Sequence, residues 1–311
     1  MHHWYSLVIK ILKKLQIMTK AFDNREGWIW MNGSFVQWQK ATSHIITQGL
    51  HYASAVFEGE RSYGGKIFKS KEHTARLFKS AEIIGIKIPY NQEEITVAKD
   101  SLIQRMNYKD CYIRPVVWRG SQQMGLSTNN ADINVAIAAW DDWSSYFKIE
   151  DRMAGLKLIT SPWKRPAPDT APYEAKASGP YIICTMSKQF AEDKGYNDAL
   201  MLDYRGYVAE GTGANIFFIK DKDIYTPIPD CFLNGITRQT VIKLVKDKGF
   251  NLLERHILPN EINKYDEAFL TGTAAEITPI KSIDNITYKV GNNTTSFDLM
   301  NDFTSLVNSS L

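Results

Sequence analysis

Cysteine is scarce in this chain: Cys111, Cys184 and Cys231 are odd in number, far apart and form no C-x-x-C pair. That excludes a disulfide framework and points to a reducing, cytoplasmic compartment, with all three read as core thiols. Apolar runs of membrane-spanning length are missing, so no membrane partner is expected. The six histidines, at 2, 3, 44, 51, 73 and 256, fall into no H-E-x-x-H or comparable spacing, which argues against a metal site. No charge sign dominates either. The 37 basic and 34 acidic side chains leave a formal net charge of +3 without a basic footprint, so no nucleic-acid partner is expected. Repeats and low-complexity tracts are not found, and the sequon Asn285-Ile286-Thr287 carries nothing without a secretory signal.

What is present is the mixture of a globular protein, 44% apolar and 23% charged. A length of 311 residues makes two packed domains the first expectation and one large α/β domain the alternative. Residues 1–17 read as a basic, amphipathic N-terminal extension, too short and too lysine-interrupted for a signal peptide. Residues 28–38 read as a hairpin turning at Asn32-Gly33. Helical spacing follows over 72–84, closed by Gly85, and over 93–106, then strands over 112–118 and 133–140. The pattern dissolves between 140 and 150, so 18–139 form a small α/β domain, 140–150 a connecting loop and 151–311 a larger domain. The latter shows a strand over 156–160, a helix over 181–194 ending at Gly195, and a meander of strands from 199 to 226. The clearest amphipathic helix spans 237–248.

Gly235-Ile236-Thr237-Arg238 stands where a loop enters that helix, and unpartnered helix-start amides form a phosphate seat. An ordinary helix start capped by Asn234 or Thr237 is the plainer alternative. Thr271-Gly272-Thr273-Ala274-Ala275 offers a second close backbone approach, or simply a tight turn. Lys176 lies among Ala175, Ala177, Ser178 and Gly179, neighbours small enough to leave room for a planar ring, although most lysines are merely exposed. Glu210, before Gly211-Thr212-Gly213, is either a site carboxylate or a rim charge at a hairpin end.

These segments, with His51-Tyr52 through Phe57-Glu58-Gly59-Glu60-Arg61, Tyr112-Ile113-Arg114-Pro115 and Glu210 through Phe217, occur in a familiar order. The chain resembles the branched-chain aminotransferases over nearly everything after Met18. Six collinear motifs are specific where one would not be. The resemblance implies a mixed α/β, two-domain fold-type IV (D-amino-acid aminotransferase-like) architecture with pyridoxal 5′-phosphate at the domain interface and sites completed across a homodimer. It implies that Lys176 carries the cofactor as a Schiff base and is catalytic. Glu210 would face the pyridine nitrogen, Tyr181 the phenolic oxygen, and Arg76 the phosphate with Ile236, Thr237 and Thr273. Asn215, Gly235 and Gly272 complete the implied cofactor site. For substrate it implies Tyr52, Phe57, Trp143, Tyr146 and Tyr181 around an apolar pocket, shaped by Gly59 and Arg61. Arg114 would meet the distal carboxylate of glutamate, with Tyr112, Thr273, Ala274 and Ala275 at the α-carboxylate.

The resemblance thus implies reversible ping-pong exchange between leucine, isoleucine or valine and 2-oxoglutarate. The sequence departs from the family pattern at Ala177-Ser178-Gly179-Pro180 after the lysine, at Asn234 in place of a common proline, and over 140–146. A D-amino-acid aminotransferase and an aminodeoxychorismate lyase share the fold and cofactor and are the near alternatives; a non-catalytic relative that binds the cofactor or a metabolite is the distant one. Phe57-Glu58-Gly59 with Arg61 and Arg114 favours the branched-chain branch, and retention of Lys176 and Glu210 favours an enzyme.

Overall fold

The computed structural model of the chain describes residues 21–141 and 149–309. The first half is an antiparallel sheet with two helices against it. β1 (Trp28–Met31) and β2 (Ser34–Gln37) form the expected hairpin. Asn32 and Gly33 both take positive φ, 49° and 91°, which a two-residue turn of this hand requires. After a short α1 (Gln48–Tyr52) come β3 (Ala55–Phe57), β4 (Glu60–Tyr63) and β5 (Lys66–Ile67). The helices α2 (Ser70–Ile83) and α3 (Gln92–Arg105) follow, then β6 (Cys111–Arg119) and β7 (Ile133–Trp140). The sheet runs β2-β1-β7-β6-β4-β5, with β3 also paired to β6. α3 begins with a capping box between Asn91 and Glu94. Leu77, Ile95 and Leu102 pack against Ile113, Val117 and Ile137 of the sheet.

The second half comprises α4 (Ile149–Ala154), β8 (Leu156–Arg165), α5 (Tyr181–Asp193), β9 (Asp198–Asp203), β10 (Val208–Glu210), β11 (Asn215–Lys220) and β12 (Asp223–Thr226). It continues with α6 (Ile236–Asp247), β13 (Asn251–Glu254), β14 (Glu267–Gly272), β15 (Glu276–Ile283), β16 (Ile286–Thr287) and α7 (Thr295–Ser309). The order β10-β9-β8-β15-β14-β11 is closed by a β10–β11 pairing, so these six strands form a small barrel. Alternation along the strands splits their side chains cleanly. Leu156, Leu158, Leu200, Ile216, Phe218, Leu270 and Ile280 share one cluster, drawn from around the ring and therefore the barrel interior. Phe217 and Phe269 point the other way and meet Val241, Val245, Leu299 and Phe303 of α6 and α7.

The first sheet ends at Trp140 and the second begins at Leu156; of the connecting loop expected at 140–150, residues 142–148 lie outside the described residues, Trp140 ends β7 and Ile149 opens α4. The expected extension at 1–17 lies outside the described residues. β8 is twice the expected length, and α7 had no counterpart in the sequence reading. Among the described residues no helix is long and apolar enough to cross a membrane.

Leu77, wholly buried on the turn after Arg76, anchors α2 to the first core. Leu77→Ala should lower unfolding free energy by about 2–5 kcal/mol, measured from the denaturant midpoint; an unchanged midpoint would contradict the packing described.

Candidate active site

The two sheets enclose a cavity of about 460 Å³. On its floor lies the segment carrying Lys176, which belongs to the second half but is bound to the first sheet. Phe57 N–H donates to Lys176 O at 3.0 Å and Ser178 N–H donates to Ala55 O at 2.9 Å. Lys176 N–H donates to Ser80 Oγ at 2.9 Å, tying the same residue to α2. The alanines flanking the lysine are small for a reason the sequence did not reveal: Ala175 and Ala177 pack into the core of the first half. Alternation then directs the lysine into the cavity, where Nζ donates to Tyr181 Oη at 2.6 Å and lies 4.8 Å from the Phe57 ring centre. Burial, helped by the positive charge of Arg76, pulls the amine down to a pKa of about 8.

Glu210 ends β10 at the deep wall. Burial pushes its carboxyl up to about 7, against the opposing charges of Arg165 and Lys176. Arg165 Nε stands 3.4 Å from Oε1, and Asn215 Nδ2 donates to Oε2 at 3.2 Å. Asn215 also accepts from Gly235 N–H at 3.1 Å, which links the carboxylate to the start of α6. A Cβ at Gly235 would collide with Asn215 Oδ1, so any larger residue there must displace that side chain. Gly235 rather than Asn234 or Thr237 is the cap residue, and no side chain caps the helix among the described residues. Ile236 and Thr237 therefore bring open helix-start amides to the cavity wall.

Opposite stands Arg76, whose Nε and Nη2 donate to Glu58 Oε1 and Oε2 at 2.6 and 2.9 Å. Period-two alternation puts Tyr112 and Arg114 on one face of β6, and Arg114 Nη2 donates to Tyr112 Oη at 2.8 Å. Trp140, paired in register with Tyr112, lies 4.9 Å from it between ring centres. Thr271, Gly272, Thr273 and Ala274 close the rim, and Thr271 Oγ1 is buried without a hydrogen-bond partner among the described residues.

Most of the residues named from sequence meet here: Phe57, Gly59, Arg76, Tyr112, Arg114, Lys176, Tyr181, Glu210, Asn215, Gly235, Ile236, Thr237, Gly272, Thr273 and Ala274. Three do not line it. Tyr52 is 43% exposed on α1, and Ala275 is packed in the barrel core. Arg61 pairs with Glu276, beside a second cavity of about 10 Å³. Trp143 and Tyr146 lie outside the described residues. The sequence reading missed Phe22, Trp140, Arg165, Cys184 and Thr212 on the walls, and Glu58 behind Arg76. Glu58 and Trp140 sat inside segments already singled out, but nothing local distinguishes Arg165. The aspartates of Asp203, Asp230 and Cys231, the one metal-like cluster among the described residues, already share the guanidinium of Arg205 at 2.6 and 2.9 Å.

The family model for amino-transferase class IV matches residues 55–283. The chain is 45% identical to the branched-chain-amino-acid aminotransferase of Pseudomonas aeruginosa over 268 residues, 85% of this chain and 87% of that one. The chain belongs to the branched-chain-amino-acid aminotransferases. This aminotransferase is also 46% identical to a probable family member from Rickettsia bellii over 267 residues, 86% and 91% of the two chains. It superposes on the T.th. branched-chain amino acid aminotransferase with pyridoxamine 5′-phosphate at a TM-score of 0.88 and 36% identity, covering 92% and 96%. The same T.th. enzyme has been solved with N-(5′-phosphopyridoxyl)-L-glutamate, at a TM-score of 0.85, 36% identity and the same coverage. The enzyme of Thermoproteus uzoniensis has been solved with norvaline, at a TM-score of 0.86, 35% identity and again 92% and 96% coverage. The aminotransferase uses pyridoxal 5′-phosphate, and its cavity fits the group: an amine on the floor, a carboxylate at the deep wall, open amides with Arg76, and a spare hydroxyl at Thr271.

Two outcomes are expected. In protein freed of cofactor, modification of Lys176 by an amine reagent should rise with pH around a midpoint near 8, since only the neutral amine reacts and burial favours that form; a midpoint at the ordinary 10.5 would refute the desolvated geometry. Gly59→Ala places a Cβ against Tyr112 Oη and should displace that ring. A displacement of this kind costs on the order of tenfold or more in kcat/KM for amino acids, read by steady-state kinetics.

Proposed function

We propose that the aminotransferase exchanges amino groups between L-leucine, L-isoleucine or L-valine and 2-oxoglutarate in a reversible ping-pong cycle, with Lys176 as the catalytic residue. The observation that carries this reading is the meeting of Lys176, Glu210, Arg76 and the start of α6 on the walls of one cavity. When bound, the cofactor supplies an aldehyde that accepts the amino group and a ring that draws electrons from the substrate Cα. Lys176, with its pKa held near 8, is a base of suitable strength to take the Cα proton at neutral pH. Tyr181 Oη, 2.6 Å from Nζ, keeps the amine in position. Glu210, steadied by Arg165 and Asn215, presents a carboxylate to the ring nitrogen. Arg76 and the open amides of Ile236 and Thr237, with Thr273, hold the phosphate.

For the substrate, Tyr112 and the amides of Thr273 and Ala274 take the α-carboxylate. Phe57, Tyr181 and Trp140 offer an apolar wall to a branched side chain, while Arg114 beside it has a buried Nε without a partner among the described residues. An apolar wall edged by one guanidinium accommodates both a hydrocarbon side chain and the distal carboxylate of 2-oxoglutarate. Relatives solved with norvaline and with a phosphopyridoxyl-glutamate adduct support that dual use. Tyr52, exposed on α1, suits a homodimer in which it reaches the neighbouring cavity. The three buried free cysteines support a cytoplasmic setting.

Borohydride trapping followed by peptide mapping should label Lys176, and Lys176→Ala should cost at least about 10²- to 10⁴-fold in turnover. Arg114→Ala should impair the half-reaction with 2-oxoglutarate far more than that with leucine; equal losses would remove Arg114 from the glutamate role.

A further inference from the structure

We infer that Glu58, braced by His73, is the positioning residue that aims Arg76 at the cofactor phosphate, and that this brace underlies the site's preference for a phosphorylated ring. Glu58 is completely buried and its two oxygens accept four hydrogen bonds. Arg76 supplies two, from Nε at 2.6 Å and Nη2 at 2.9 Å. His73 Nδ1 supplies a third at 2.7 Å and Gly59 N–H a fourth at 3.2 Å. Burial alone would raise the Glu58 carboxyl, but the charges and hydrogen bonds of Arg76 and His73 outweigh it and hold the group well below the usual carboxylate range.

The geometry has a directional consequence. An ionised carboxylate only accepts, so His73 donates to it from Nδ1. His73 and Arg76 are three residues apart on α2, on one helix face, and both reach the same carboxylate. A guanidinium is a rigid planar fork, so fixing Nε and Nη2 fixes where Nη1 points. Nη1 has no partner among the described residues, and Arg76 lines the cavity with Ile236, Thr237 and Thr273. An unbraced arginine would lose rotamer freedom on binding the anion; here that ordering is complete beforehand. Because Glu58 offsets the charge of Arg76, the phosphate is held by aimed N–H groups rather than by net positive charge. Were the pair a purely structural tie between α2 and the turn at 58–59, its loss would instead weaken every ligand of the cavity alike.

This inference rests on the reading of Arg76 as the phosphate arginine, and the test separates the two. The full chain, freed of cofactor, is titrated with pyridoxal 5′-phosphate and in parallel with pyridoxal, which lacks the phosphate, following absorbance. Glu58→Gln should weaken the phosphorylated ligand by about 10- to 100-fold, the range for a hydrogen bond to a charged group, and leave pyridoxal unchanged. His73→Asn, whose amide replaces the Nδ1 donor, should keep the wild-type ratio of the two affinities, and His73→Leu should lower it. Equal weakening of both ligands in Glu58→Gln, or a wild-type ratio in His73→Leu, would overturn the brace. If Glu58→Gln does not fold, the two His73 variants decide alone. A ratio unmoved by Arg76→Gln would take down the phosphate reading and the brace together; a ratio lost in Arg76→Gln but kept in Glu58→Gln would take down only the brace.

Discussion

Two backbone hydrogen bonds between β3 and the segment around Lys176 hold the candidate active site together. They attach a residue of the second half to the edge of the first sheet, with Ala175 and Ala177 embedded in that sheet's core. Nearly everything else follows. The lysine faces away from its alanine neighbours, so its amine must enter the space between the sheets, and the barrel side of that space is lined by β10, β11 and the start of α6. Burial in that space is what gives an ordinary lysine and an ordinary glutamate their unusual acidities.

The two shifts run in opposite directions for one reason. Desolvation penalises whichever form is charged, lowering Lys176 to about 8 and raising Glu210 to about 7. Both groups therefore change protonation close to neutrality. Two of the neighbouring guanidiniums are paired with carboxylates: Arg76 answers to Glu58 and Arg165 to Glu210, which gives the cavity directed donors.

A second ionic knot sits across the rim. Glu276 begins β15 with φ at +51°, a backbone conformation that costs a residue with a side chain free energy. Its carboxylate is held by Arg61 of β4, by Tyr63 Oη at 2.8 Å and by Arg152 of α4 at 2.7 Å. These contacts from the first sheet and from α4 offset the strain and hold the turn over 273–276, whose Thr273 and Ala274 face the cavity. Arg61 thus reaches the site through that turn rather than through the cavity wall.

Local signals were enough for much of this. Asn32-Gly33 announced a hairpin, the apolar period of 237–248 a helix beginning one residue earlier at Ile236, and six ordered motifs the family; the same motifs singled out Lys176, Glu210 and Arg76, which the fold brings to one cavity. α7 escaped because its serines, threonines, asparagines and aspartates are weak helix formers, and its helicity comes from burying Leu299, Phe303 and Val307 against the barrel. That the hairpin at Glu210 and Asn215 closes a barrel, and that the guanidinium of Arg165 lies beside Glu210, leave no local trace: the first depends on how the intervening strands are ordered, the second on residues far apart in the chain. The sequence by itself determined which residue types line the cavity and their order along the chain. Only the tertiary structure decided which are desolvated, which are paired and which way they point, because burial and partnership are properties of the packed chain and not of any stretch of it.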